Sequence, residues 1–105
     1  MLFFRKEADP AAIAAFWNWF SANEQWIIDN IRGNAMAVIE AVDQHLKPVF
    51  PFFRKELEFQ MGYNDGVGEF FFFDLRNGNL QRGGKTLGEA MPENLKKNWK
   101  FIMEH

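Results

Sequence analysis

Glu56-Leu57-Glu58-Phe59-Gln60-Met61-Gly62-Tyr63, residues 56–63, places an apolar side chain at every second position. Glu69-Phe70-Phe71-Phe72-Phe73-Asp74-Leu75, residues 69–75, follows with four phenylalanines in a row. Successive side chains of a strand point to opposite faces, so the first stretch predicts a strand half-buried through Leu57, Phe59, Met61 and Tyr63. The second stretch is apolar on both faces and predicts a more central strand. Asn64-Asp65-Gly66 between them supplies turn chemistry for a hairpin. Asn77-Gly78 is a second hairpin signal and predicts a short third strand at Asn79–Arg82. Gly83-Gly84 reads as a turn that releases the chain. Thr86–Asn98 then reads as mostly helical with an interruption at Pro92. Trp99, Phe101 and Met103 alternate as in a closing strand, although Leu95, Trp99 and Ile102 also fit helical spacing.

Upstream of this region the period is 3.6. Asp9-Pro10 is a helix start, with the Asp side chain free to accept an orphan amide bond and Pro at a position that needs no N–H. Ile13, Phe16, Trp17, Phe20, Ile27 and Ile31 recur at helical spacing up to Gly33-Asn34. A second helix carries Ala35, Val38, Ile39, Val42 and Leu46 on one face until Pro48 and Pro51 end it. The expected architecture is therefore one α+β domain over residues 1–105. An N-terminal helical hairpin packs on a small antiparallel β-meander, and a C-terminal helix and closing strand follow.

Composition narrows the function classes. The chain has 105 residues, net charge −2, no cysteine, 13 Phe and 4 Trp. Without cysteine there is no disulfide framework, thiolate metal site or cysteine nucleophile. The near-neutral charge argues against a nucleic-acid binder held by phosphate neutralisation. No apolar run approaches the roughly 18 residues of a membrane span. Arg5, Lys6, Glu7 and Asp9 interrupt Met1–Pro10 before an apolar signal core can form, so a cytoplasmic location is expected.

The phenylalanine run poses the main question. Phe70 and Phe72 point to one face of their strand, and Phe71 and Phe73 to the other. Each buried Phe contributes roughly 2 kcal/mol, so leaving two in water forgoes several kcal/mol and invites aggregation. Either the C-terminal segment covers the second face, or a second copy of the chain packs on it as a homodimer.

Four residues of the first helix are candidates for binding: Trp19, Asn23, Glu24 and Trp26. Trp19 and Trp26 lie seven apart on one side of the helix, with Asn23 and Asn30 on the same strip. Indoles flanked by amides form a reasonable contact surface for a protein partner, unless the sheet or Leu2-Phe3-Phe4 covers them. If the helix runs unbroken to Ile31, Glu24 falls inside its apolar stripe, where a desolvated carboxylate could act as a general acid or base. If Ser21-Ala22-Asn23-Glu24 is a capping box, the helix breaks at Ser21 and Glu24 sits near the surface.

Other motifs carry less. His45 has no second ligand at helical spacing and reads as a satisfied histidine at the rim of its helix. Gly84-Lys85-Thr86 lacks the upstream glycine of a phosphate-binding loop, since Asn79 stands there. Arg54-Lys55 and Lys96-Lys97 read as solvated surface. No catalytic residue, metal ligand or cofactor is assigned.

Phe16-Trp17-Asn18-Trp19-Phe20 followed by Asn23-Glu24, with the later Pro92, Leu95, Trp99 and Phe101, resembles a family of small uncharacterised bacterial proteins, a domain of unknown function. Members open with an F-W-x-W-F helix and close with a proline, a leucine and a tryptophan ahead of a strand. The resemblance spans residues 16–101 and implies a bacterial α+β domain of cytoplasmic type. It implies no activity.

The leading functional expectation is a non-catalytic module that binds a protein partner or itself through aromatic surface, since no catalytic constellation accompanies the surplus Phe and Trp. The alternatives are a small-ligand pocket, or an enzyme using Glu24 with His45 or Arg76 as helpers.

Overall fold

The Asp9 side chain accepts from the amides of Ala11 and Ala12 at 3.0 and 3.4 Å, and the first helix, α1 (Pro10–Ala22), starts there as its cap and proline predict. The structure, a computed structural model, describes residues 6–105, so Leu2-Phe3-Phe4 lies outside the described residues. The helix does not break at Ser21. It runs through Ser21 to Ala22, and Asn23 (φ −114°, ψ 12°) is the break before α2 (Glu24–Asn30). The Asn23 side chain donates to the Trp19 carbonyl at 2.9 Å, which closes the last turn of α1. No side-chain cap opens α2, so the capping box does not form. Ser21 Oγ instead accepts from Asn94 at 3.4 Å. Then come α3 (Ala35–Leu46) and a 3-10 turn at Lys47–Val49, where Pro48 ends the α-helical ladder.

The strands β1 (Glu58–Asn64) and β2 (Val67–Phe73) form the predicted antiparallel hairpin, with Met61 opposite Phe70. Asp65 (φ 53°) and Gly66 (φ 79°) connect them. Positive φ at both central residues is the pattern whose twist matches that of the flanking strands.

The structure departs from the expected meander after β2. Asp74 ends the strand, and Leu75 (φ 54°) and Arg76 (φ 56°) both adopt the left-handed conformation. The Asp74 carboxylate accepts from the Arg76 amide at 2.9 Å, which holds this turn. Asn77-Gly78 is then a helix start rather than a hairpin. The Asn77 side chain accepts from Asn79 and Leu80 at 2.9 and 3.1 Å and caps α4 (Gly78–Glu89). The predicted strand at Asn79–Arg82 is the first part of that helix. Asn suits a helix N-cap as well as a tight turn, and Leu80, Gly83, Gly84 and Leu87 give this segment a buried helical face.

After α5 (Glu93–Lys96), β3 (Trp99–Glu104) pairs parallel to β2, giving a three-stranded mixed sheet in the order β1-β2-β3. A parallel pair needs a crossover, and α4 and α5 provide it. The class is α+β, as expected, with a mixed rather than an antiparallel sheet.

The register fixes two faces. Phe59, Met61 and Tyr63 of β1 share one face with Phe70 and Phe72 of β2 and with Trp99, Phe101 and Met103 of β3. The helices pack on this face. Phe16 of α1 packs edge-on to Phe70 at 6.2 Å, Phe20 meets Trp99 at 5.0 Å, and Phe50 stacks on Phe72 at 5.1 Å. The Trp17 indole donates to the Leu87 carbonyl of α4 at 2.9 Å, so a buried N–H is satisfied across the core.

Gly83 and Gly84 are not turn residues. They lie inside α4 with Gly88, and a Cβ at Gly84 would stand 2.8 Å from Met103 and Phe72. A Cβ at Gly88 would stand 2.5 Å from the Phe101 ring. Glycine lets α4 lie close on the aromatic face of the sheet.

Candidate functional site

The opposite face of the sheet is the candidate interaction surface. Its rows, read across β1, β2 and β3, are Glu58-Phe73-Glu104, Gln60-Phe71-Ile102 and Gly62-Glu69-Lys100, with Val67 beyond. Phe71, Phe73 and Ile102 are half-buried and stand apart from the hydrophobic core, whereas Phe70 and Phe72 lie fully inside it. Val67 is 41% exposed. The C-terminal segment does not cover this face. It enters the sheet edgewise as β3 and adds Ile102 to the same surface, which answers one half of the question the phenylalanine run raised. Three half-exposed apolar side chains on one sheet face, flanked by charges, form a contiguous patch of the kind that interaction surfaces present. Among the described residues, Glu69, Lys100 and Glu104 form no ion pair within 4.0 Å.

The four predicted binding residues do not converge on one surface. Trp19 is half-buried between α1 and α3 and stacks on the His45 ring at 4.1 Å with 13° between planes. His45 donates from Nδ1 to the Ala41 carbonyl at 2.8 Å, the satisfied rim histidine that its spacing suggests. Asn23 spends its amide on the Trp19 carbonyl, and Asn30 does the same for the Trp26 carbonyl at 2.8 Å. Only Trp26, 39% exposed, presents its ring to solvent.

Glu24 faces the start of β3. Its carboxylate accepts from Trp99 Nε1 at 2.9 Å and from Asn98 Nδ2 at 3.3 Å. It is therefore neither a capping-box partner nor a bare carboxylate in an apolar stripe. The buried Trp99 indole N–H needs an acceptor more than a solvated helix amide does, and this decides where the side chain goes. Arg76 stands in the turn after β2 and brings no helper to Glu24.

A groove of about 470 Å³ runs between α3 and β1, lined among others by Ile39, Asp43, Glu56 and Phe59, and it reaches Gln60 and Phe73 at the β1 side of the candidate face. Asp43 is paired with Lys47 at 3.1 Å. The hydrogen bond that Lys47 donates to Asp43, then the charges of Asp43 and Glu56, hold the Lys47 ammonium above its usual range. The groove has carboxylates and apolar floor but no nucleophile or histidine. Among the described residues, no group of three His, Asp or Glu side chains could hold a metal ion, and no buried side-chain polar atom lacks a partner. No helix of the described residues is long and apolar enough to cross a membrane.

One polar pair was not anticipated. Asp74, 1% exposed, receives a hydrogen bond from His105 Nδ1 at 2.9 Å, while its backbone N–H donates to the Glu104 carbonyl at 2.8 Å. Asp74 ends β2 and His105 follows β3, so only the parallel pairing brings them together, and an antiparallel reading hides it. The pair closes the sheet end. It reads as a structural clasp. Comparison with protein families, with curated proteins and with solved structures finds no match for this chain.

Proposed function

We propose that this chain is a non-catalytic interaction module that associates through the sheet face opposite its core, with a second copy of itself as the partner. The observation that carries this reading is the placement of Phe71, Phe73 and Ile102 together on the sheet face away from the core. A second sheet packed about 10 Å away would remove these side chains from water without any change in backbone.

The expected strength follows from the area. Three strands about 4.8 Å apart and six residues long at about 3.3 Å each give a footprint of roughly 14 by 20 Å. This falls well below the ~800 Å² per partner of a standard stable interface. Association is therefore reversible and depends on concentration. The alternative of a pocket built on Glu24 has less support, because its carboxylate is already engaged by Trp99 and Asn98.

The test is solution mass by sedimentation or light scattering over a concentration series, with Phe71→Lys as the comparison. A lysine at the centre of the patch forbids burial there and leaves the core untouched. Wild type should shift from monomer to dimer with concentration, and Phe71→Lys should stay monomeric with an unchanged circular dichroism spectrum. A wild type that remains monomeric throughout sinks the reading.

A further inference from the structure

The charges on the sheet face opposite the core constrain how a second copy can sit on it. On β3, Lys100, Ile102 and Glu104 share this face, so a cation and an anion flank the apolar residue symmetrically. Beside them on β2 lie Glu69 and Phe73, and on β1 Gly62 and Glu58.

Two sheets packed face to face as a closed dimer are related by a two-fold axis lying in the plane between them, and each contact then occurs twice. If the axis runs along the strands through β2, β1 of one copy lies over β3 of the other. Glu104 then faces Glu58 at two places, and Glu69 faces Glu69. If the axis runs across the strands through the Gln60-Phe71-Ile102 row, β3 lies over β3 in the opposite direction. Ile102 then meets Ile102, Phe71 meets Phe71, and Lys100 of each copy faces Glu104 of the other. The first arrangement opposes like charges at every charged contact, whereas the second pairs Lys100 with Glu104 twice and sets Glu69 over Phe73, with no like charge facing it. Like charges juxtaposed across an interface suppress a binding mode strongly, whereas complementary pairs at the rim fix register.

We infer that the two copies pack sheet to sheet with their strands antiparallel, about a two-fold axis through Phe71 and Ile102, with Lys100 and Glu104 as reciprocal partners. The usual twist turns the two strand directions about 30° from alignment and leaves the charge pattern intact. The inference rests on the self-association reading above and adds the orientation.

Charge reversal tests it. Lys100→Glu sets carboxylate against carboxylate at both reciprocal contacts, and Glu104→Lys sets ammonium against ammonium at both. Each single variant should weaken the dimer about tenfold or more. The double variant Lys100→Glu/Glu104→Lys should return it close to wild-type strength. An equimolar mixture of the two single variants should form a heterodimer, because each then faces its opposite charge. Both substitutions are on the face away from the core, and circular dichroism checks that the fold is kept.

Restoration in the double variant together with heterodimer formation in the mixture supports the orientation. A wild type that dimerises, loses dimerisation in Phe71→Lys, but shows no rescue in either the double variant or the mixture overturns the orientation and leaves self-association standing. Strengthening by Glu104→Lys alone also overturns it, since that result belongs to the arrangement in which Glu104 meets Glu58. A wild type that stays monomeric overturns both.

Discussion

Gly88→Ala sets two physical effects against each other. Gly88 lies in the last turn of α4, where alanine is preferred over glycine by at most about 1 kcal/mol. If helix propensity governed the position, the variant would be more stable. A Cβ there would stand 2.5 Å from Phe101 Cδ1, against 3.4 Å for the onset of ordinary contact, so something must move by roughly 0.9 Å. The Phe101 ring is braced on several sides. It stacks on Phe70 at 5.3 Å and on Phe72 at 6.3 Å, and meets the Trp17 edge at 6.2 Å. Overpacking against a braced ring costs about 3 kcal/mol, the upper part of the usual range. The net loss is about 2 kcal/mol, or a fall in Tm of roughly 8 °C for a chain of this size. Urea denaturation followed by tryptophan fluorescence reads it, with Gly33→Ala as the control. A Cβ at Gly33 meets nothing within 4 Å, so that variant should lie within about 0.5 kcal/mol of wild type. Gly88→Ala at or above wild-type stability would refute the argument that α4 needs glycine to approach the sheet.

Other perturbations separate further contributions. Glu24→Ala strands the Trp99 indole N–H and should cost about 1–2 kcal/mol, while Glu24→Gln keeps an acceptor and should cost clearly less by the same denaturation assay. Asn77→Ala removes the α4 cap and should lower stability by about 1 kcal/mol. Asp74→Ala frees the Arg76 amide as well as His105 and should cost about 2 kcal/mol. His105→Ala removes only a largely exposed partner and should cost well under half of that; equal losses would mean that the His105 contact, and not the turn, is what Asp74 stabilises.

The parts of the fold legible in the sequence are those set by local pattern. The alternation at 56–63 places β1, the Asp9-Pro10 start and the recurrence of Ile13, Phe16 and Phe20 place α1, and the Asp65-Gly66 turn joins the hairpin. The parts that were not legible depend on a choice between two local meanings. Asn77-Gly78 suits a tight turn and a helix start equally, and what selects the helix is the burial of Leu80 and Leu87 in a core assembled from distant segments. Gly83-Gly84 resembles a turn until the aromatic residues it must approach are known. The break at Asn23 follows from a hydrogen bond that also suits a continuing helix.

The candidate site was legible in the same uneven way. Four successive phenylalanines announce an apolar second face, but Ile102, Lys100 and Glu104 join it only through the parallel pairing of β3. Trp19 looks like free surface because His45, the ring it stacks on, belongs to another helix. The placement of Glu24 was hidden by the remoteness of Trp99 in the chain.

The parallel pairing of β2 with β3 also orders events during synthesis. The β1–β2 hairpin is local and can form as soon as residue 73 has emerged, but the other edge of β2 stays open until the crossover helices and residues 99–104 follow. Contacts between segments far apart in sequence form late, because loop closure precedes the reward for pairing. Meanwhile a strand with four phenylalanines presents unpaired backbone, the kind of template that draws neighbouring chains together. Yield in the cell is then governed by how fast the chain completes β3, so slowed translation over residues 74–98 should raise the aggregated fraction even where the finished fold is equally stable.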